Sequence, residues 1–284
     1  MSSHKVHRRN PKRNNTKHSV GEKARQVLEN INANSPIIKL FQTYATELDD
    51  KHDRYERVVK ISRDITIESK RIIFLLHNAG TEIEEKKDHI FAEANLRLTQ
   101  LLQKFKMIAY ELQNLDHYLY LRAYTNGLQE YIEALYFYEY QRNTTLPGNN
   151  EISSKLIFTL NLANDETIED LQLCCPIIEI LLGLGDFTGE MMRKCINNLG
   201  SGNIDDCFKT CTFVRNIFIG FLGLNLSGQS LISRKFYTLK QSLAKMELVC
   251  YNIKVRGSEI PKHMLATVVT STPDENSDDD EGYY

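Results

Sequence analysis

SPIIKLFQTYATELDDKHDRYERVVKISRDITIESKRIIFLLHNAG, residues 35–80, holds one proline at its second position and no glycine before its last. Ser35 followed by Pro36 has the form of a helix start. A hydroxyl can cap the first free N–H groups, and proline's fixed φ suits the first helical turn. Behind it Ile37, Phe41, Tyr44, Leu48, Tyr55, Val58, Val59, Ile65, Ile72 and Leu75 recur at helical spacing. The spacing predicts one helix of about forty residues, against a usual length of about eleven or twelve. Helices this long belong to bundles and assemblies, so this stretch decides the fold class.

The same period continues outward. A second helix is expected over about 82–112 and a third over about 115–141, the latter tolerating Gly127. Thr144, Thr145, Pro147, Gly148, Asn149 and Asn150 make a loop. A short helix is expected around 151–160, then a polar connector over 161–169. Pro176 opens a helix that runs to Leu199-Gly200, another covers 204–222, and the last spans about 228–255 and stops at Gly257. Alternation of period two never persists. The expected fold is all-α, a single bundle of six to seven helices over 35–267, without internal repeats.

Polar flanks enclose it. Residues 1–34 are predicted to be a disordered arm, with Lys5, Arg8, Arg9, Lys12, Arg13 and Lys17 unopposed by acid in the first twenty residues. Such an arm suits nuclear import or nucleic-acid contact, or is simply solvated. Residues 268–284 carry Asp274, Glu275, Asp278, Asp279, Asp280 and Glu281 and are expected to be a disordered acidic tail. The two ends cancel, so the net charge of −2 and pI near 6.5 describe the body as well. Nucleic-acid affinity would need a local patch or a partner subunit.

The remaining composition excludes several classes. No window of about eighteen apolar residues exists, which predicts a soluble chain without membrane partners. No leader is expected, because the first apolar cluster comes only at Ile37 and Ile38. The cysteines (Cys174, Cys175, Cys195, Cys207, Cys211 and Cys250) are expected to be reduced and mostly buried. Cys207 and Cys211 lie four apart, but no His or second Cys pair completes a zinc pattern. There is no phosphate-binding glycine loop, no nucleophile elbow and no CxxC; His52 and His117 stand isolated.

Four carboxylates are the candidate chemistry. Glu130 and Glu133 lie three apart on one predicted helix, and Asp186 and Glu190 four apart on another, so each pair shares a face. The second pair sits among Ile177, Ile178, Ile180, Leu181, Leu182, Leu184, Met191 and Met192, where ionised acids are costly unless paired. Two facing helices that each offer an acid pair are how bundles build metal sites. Oxygen-only ligands suit Mg²⁺, with Mn²⁺ as the alternative, and no His near either pair in the sequence suggests zinc. Such an ion would activate water against a phosphate. Glu179, seven before Asp186, is a candidate supporting residue. The plain alternative is a solvated face, and spacing alone does not decide between them. Lys51, Arg54, Arg57, Lys60 and Arg63 wind around the first helix at steps of three, among Asp49, Asp50, Asp53 and Glu56. They form an exposed, partly self-paired surface, with phosphate contact as the rival role.

Several segments together resemble the translin family. They are Lys51 through Lys60 (KHDRYERVVK), Ser62 through Thr66 (SRDIT) and Ser69-Lys70-Arg71; Gly127 through Ala134 (GLQEYIEA); Asp186 through Glu190 with Arg193; Tyr237 through Lys245 (YTLKQSLAK); and Lys254 through Lys262 (KVRGSEIPK). The similarity covers about 35–267. It implies an all-α bundle of about seven helices, a partner, translin, and a hollow hetero-oligomeric barrel. It also implies endoribonuclease activity on single-stranded RNA, with single-stranded DNA as a further ligand. Removal of passenger-strand fragments in activating the RNA-induced silencing complex is the implied role, in cytoplasm and nucleus. Family active-site positions fall on Glu130, Glu133, Asp186 and Glu190, with metal coordination carried over most directly to Glu133 and Glu190. Translin itself lacks this acidic set, which would make this chain the catalytic subunit. The connector at 161–169, short for the family, and the acidic tail are the departures. Two rivals stand beside it: a non-catalytic scaffold that stabilises translin and binds single-stranded nucleic acid, and a nuclear adaptor.

Overall fold

The structure, a computed structural model, describes residues 35–79, 84–161, 168–200, 203–225 and 228–256. The predicted basic arm, acidic tail and stop at Gly257 lie outside the described residues. The described elements run α1 (Pro36–Ala79), α2 (Glu84–Glu111), α3 (His117–Asn143), α4 (Asn149–Lys155), β1 (Ile157–Asn161), β2 (Ile168–Gln172), α5 (Ile177–Gly200), α6 (Ile204–Leu222) and α7 (Ser230–Arg256). Contacts divide the chain into two units, up to His52 and from Asp53 onward. In the first, the described residues are the leading turns of α1, where Ile37, Leu40, Phe41, Tyr44 and Leu48 are exposed.

The second unit is built around α3. Asp116 caps it by accepting the Tyr118 N–H at 2.9 Å, and it ends where Thr144 turns left-handed (φ 57°) and donates its N–H to the Tyr140 carbonyl. Between these ends nearly every residue from Leu128 to Tyr138 is buried. A helix enclosed on all sides shows no single apolar stripe, which is why its pattern is the least regular of the long helices. α3 packs on α5, and α5 in turn contacts α6 and α7. Without Trp, aromatic burial falls to Tyr and Phe. Phe187, fully buried, meets the rings of Tyr136, Phe137, Tyr140 and Phe213 at centroid distances of 5.8, 6.5, 6.2 and 6.2 Å.

Two glycines make the close crossings. A Cβ on Gly127 would lie 2.7 Å from Ser62 Oγ and 2.8 Å from the Ser62 carbonyl, so α1 and α3 touch there almost backbone to backbone. The Gly127 N–H donates to Ser62 Oγ at 3.1 Å. A Cβ on Gly183 would stand 2.8 Å from the Ile132 side chain and 3.0 Å from the Gln129 carbonyl, which fixes how closely α5 approaches α3.

One local expectation is corrected. Within the predicted helix over 151–160 only α4 is helical, and β1 follows it and pairs antiparallel with β2, Phe158 opposite Leu171; residues 162–167 of the predicted connector lie outside the described residues. Phe158 and Leu171 are both buried, whereas Ile157 is exposed. Strands of five residues alternate too briefly to stand out, and β-branched Ile157 and Thr159 favour extended backbone. Among the described residues no helix is long and apolar enough to cross a membrane.

Candidate carboxylate site

The close crossing at Gly183 and Ile132 lies beside the acids: Ile132 stands between Glu130 and Glu133 in sequence, and Gly183 three residues before Asp186. Glu130 and Glu133 of α3 and Asp186 and Glu190 of α5 line one cavity of about 570 Å³. Lys70, Ile73 and Phe74 of α1, Arg193 of α5 and Lys235 of α7 complete its wall. The four acids predicted from spacing are thus brought together.

Three of the four have a cation each. Lys70 Nζ lies 3.0 Å from Glu130 Oε1, Arg193 lies 3.3 Å from Glu190 Oε2, and Lys235 Nζ binds Asp186 Oδ1. Lys235 is placed beside Asp186 by another close approach, since a Cβ on Gly185 would be 3.1 Å from the Lys235 Cβ. Glu190 has a further partner, His77 Nε2 at 2.6 Å, whose ring packs on Phe137 at 4.6 Å. The sequence reading found no His near either pair, and the fold corrects this: His77 stands 113 positions from Glu190 and arrives on α1.

Glu133 differs. It is buried, with only 8% of its surface exposed, and has no hydrogen-bond or ion-pair partner among the described residues. Burial above all, then the charges of Asp186, Glu130 and Glu190, pushes its pKa up to about 8, against a weaker opposing pull from Lys235. Glu190 goes the other way. Burial is the largest single influence and works to raise it, but the His77 hydrogen bond, Arg193 and Lys70 together outweigh it and hold its carboxyl below the usual range. Two acids in one cavity are therefore held in opposite protonation states near neutrality, a pattern common at functional sites.

Glu179 does not line this cavity. It is buried and accepts hydrogen bonds from Thr125 Oγ1 and, at 2.6 Å, from Gln129 Nε2, one turn before Glu133. In the cationic spiral on α1, Lys51 meets Glu47 at 2.7 Å and Arg57 meets Glu111 of α2 at 3.1 Å. The cysteines are all free. Cys195 Sγ and Cys207 Sγ lie 3.2 Å apart in the buried junction of α5 and α6, a grouping that sequence spacing did not disclose. Among the described residues no three His, Cys, Asp or Glu are arranged to hold a metal as they stand. At the carboxylate cavity Lys70, Arg193 and Lys235 each occupy an oxygen of Glu130, Glu190 and Asp186 respectively, and His77 binds Glu190.

Comparison with known proteins identifies the setting. Residues 53–257 match the Translin family. The chain is 43% identical to Translin-associated protein X of Pongo abelii over 265 residues, which cover 89% of this chain and 90% of the relative. The structure of apo-NeC3PO superposes with a TM-score of 0.56 at 21% identity, covering 73% of this chain and 93% of that one. An AfC3PO–duplex RNA complex gives 0.51 at 18% identity, covering 78% and 99%. At these identities the two structures show the shared all-helical fold.

Proposed function

The chain belongs to the translin family, and from that premise and its four facing carboxylates we propose that it is the catalytic subunit of a translin-containing, Mg²⁺-dependent endoribonuclease acting on single-stranded RNA. The observation that carries this reading is Glu133: a buried carboxyl without a partner among the described residues, lining one cavity with three more acids. Burying a carboxyl without a partner is costly; in the metal-free chain Glu133 meets that cost by keeping its proton, and a cation bound among the acids would meet it instead. The donor set, oxygen only and clustered, fits a hard divalent cation, Mg²⁺ or Mn²⁺.

Glu133, Glu190 and Asp186 would hold the ion, with Glu130 completing the set or orienting the attacking water. When bound, such an ion lowers the pKa of a coordinated water and offsets charge on the phosphate under attack. The chain's own part is positional. The crossing at Gly183 fixes the distance between the two acid pairs, and His77, clamped on Phe137, fixes Glu190. The known relatives support the partner and RNA as a ligand: the Pongo abelii protein is named for association with translin, and AfC3PO is described in complex with duplex RNA. The proposed biological role is removal of passenger-strand fragments during activation of the RNA-induced silencing complex, in cytoplasm and nucleus.

A second reading is a scaffold that stabilises translin and binds single-stranded nucleic acid without cutting it. It is favoured by the ion pairs already formed at three of the acids. Cleavage of a labelled single-stranded RNA by the chain co-purified with translin separates the two. Activity in Mg²⁺ that vanishes in EDTA and in Glu133→Ala or Glu190→Ala, with assembly retained, supports the nuclease. Undiminished cleavage by both variants would sink it and leave the scaffold.

A further inference from the structure

The cations of the carboxylate cavity are distributed one to an acid. Lys70 from α1, Arg193 from α5 and Lys235 from α7 take Glu130, Glu190 and Asp186 respectively. Lys70 and Arg193 have side chains 63% and 60% exposed, and Lys235 is 35% exposed. Ion pairs this close to solvent are weak, and long flexible stems can re-aim their charged ends at small cost. His77 contrasts with them: its side chain is 9% exposed and its ring packs against Phe137 at a tilt, 4.6 Å between centroids, so it holds Glu190 without freedom to leave.

A divalent cation seated among the acids would compete with these three cations for the same carboxylates, each of which gives one oxygen to its cation. Taking them would leave Lys70, Arg193 and Lys235 without partners at the rim of a cavity of about 570 Å³, where a polyanion would pass. Resting on the nuclease reading above, we infer that Lys70, Arg193 and Lys235 are a phosphate-binding set held in reserve, paired with the carboxylates in the metal-free chain and turned to RNA phosphates once a divalent cation occupies the acids. The exchange makes metal and RNA binding cooperative, each tightening the other by the same factor. It also keeps a metal-free cavity from capturing RNA that it could not cut, because its cations are then neutralised locally.

The test uses the chain in its complex with translin. Anisotropy of a short labelled single-stranded RNA is read in EDTA and in Ca²⁺, an oxygen-seeking ion chosen to leave the RNA uncut. Mn²⁺ uptake without RNA is followed by electron paramagnetic resonance. Lys70→Met, Arg193→Met and Lys235→Met keep chain length and remove charge. Wild type is expected to bind RNA about tenfold or more tighter in Ca²⁺ than in EDTA. The triple variant should lose most of that gain, bind RNA in EDTA as wild type does, and take up Mn²⁺ at least as tightly, since the competing cations are gone. Equal weakening of RNA binding in EDTA and Ca²⁺ would mean standing phosphate contacts, and an undiminished gain would mean plain counter-ions; either overturns the inference. Should the triple variant fail to assemble, the exposed Lys70→Met and Arg193→Met carry the same comparison singly. Wild type that takes up no Mn²⁺ removes the nuclease reading and this inference together, whereas normal uptake with an unaltered gain removes only the inference.

Discussion

Glu133 and Glu190 share a cavity, yet their protons respond to opposite forces. Glu133, raised to about 8 from an ordinary 4.5, keeps a proton in the folded chain that the unfolded chain gives up across that interval. Metal-free stability therefore falls as pH rises through this window and levels off above it, a loss on the order of a few kcal/mol. Thermal denaturation in EDTA should show the melting temperature of wild type declining between about pH 5 and about pH 8 more steeply than that of Glu133→Gln. Parallel profiles would mean that the carboxyl is not crowded as described. Glu190, held below the usual range, acts with the reverse sign: its pairing favours the fold above that range and is lost on acidification. A smaller effect is expected at Ser69, whose buried hydroxyl lacks a partner among the described residues; Ser69→Ala should leave stability unchanged or improve it.

The elements depend on a few close approaches rather than on any one helix. A methyl group on Gly127 meets the Ser62 backbone, which cannot swing aside, so α1 and α3 must separate. Gly127→Ala is expected to cost about 1–3 kcal/mol, measurable as a lowered denaturation midpoint. Gly183→Ala pushes instead on Ile132, beside Glu133, and on the Gln129 carbonyl. It should lower RNA cleavage by more than its effect on stability accounts for, because it spreads the two acid pairs. Phe187, next to Asp186 and ringed by Tyr136, Phe137, Tyr140 and Phe213, should cost about 3–5 kcal/mol as Phe187→Ala. At this scale the long helices were legible, since dozens of residues repeat the 3.6 period and α1 has no interior glycine or proline. The β1–β2 pair was not, because five-residue strands give one or two alternations and draw their stability from pairing with each other.

For the whole molecule, the surface points away from a solitary life. Phe74, Tyr118, Leu119 and Ile177 of the second unit are each more than 60% exposed, as are Ile37 and Phe41 in the first. Large apolar side chains left in water are a liability that a partner removes. The chain purified alone is expected to self-associate and to melt at a lower temperature than the same chain co-purified with translin, by light scattering and calorimetry. A monodisperse, equally stable monomer would count against an obligate partner.

The sequence by itself determined the helices, the absence of a membrane-spanning helix in the described residues, and the membership of Glu130, Glu133, Asp186 and Glu190 in two helix-face pairs. These follow from local periodicity, which each segment carries within itself. Only the tertiary structure decided that the pairs face one another, that Glu133 is the buried member without a partner among the described residues, that Lys70 and Lys235 line the same cavity, and that His77 binds Glu190. Those outcomes depend on which helices cross, and the crossings are set by glycines and ring packing between segments far apart in the chain. Spacing along one helix carries no information about the face of another; burial and charge, and hence protonation, arise only when the two meet.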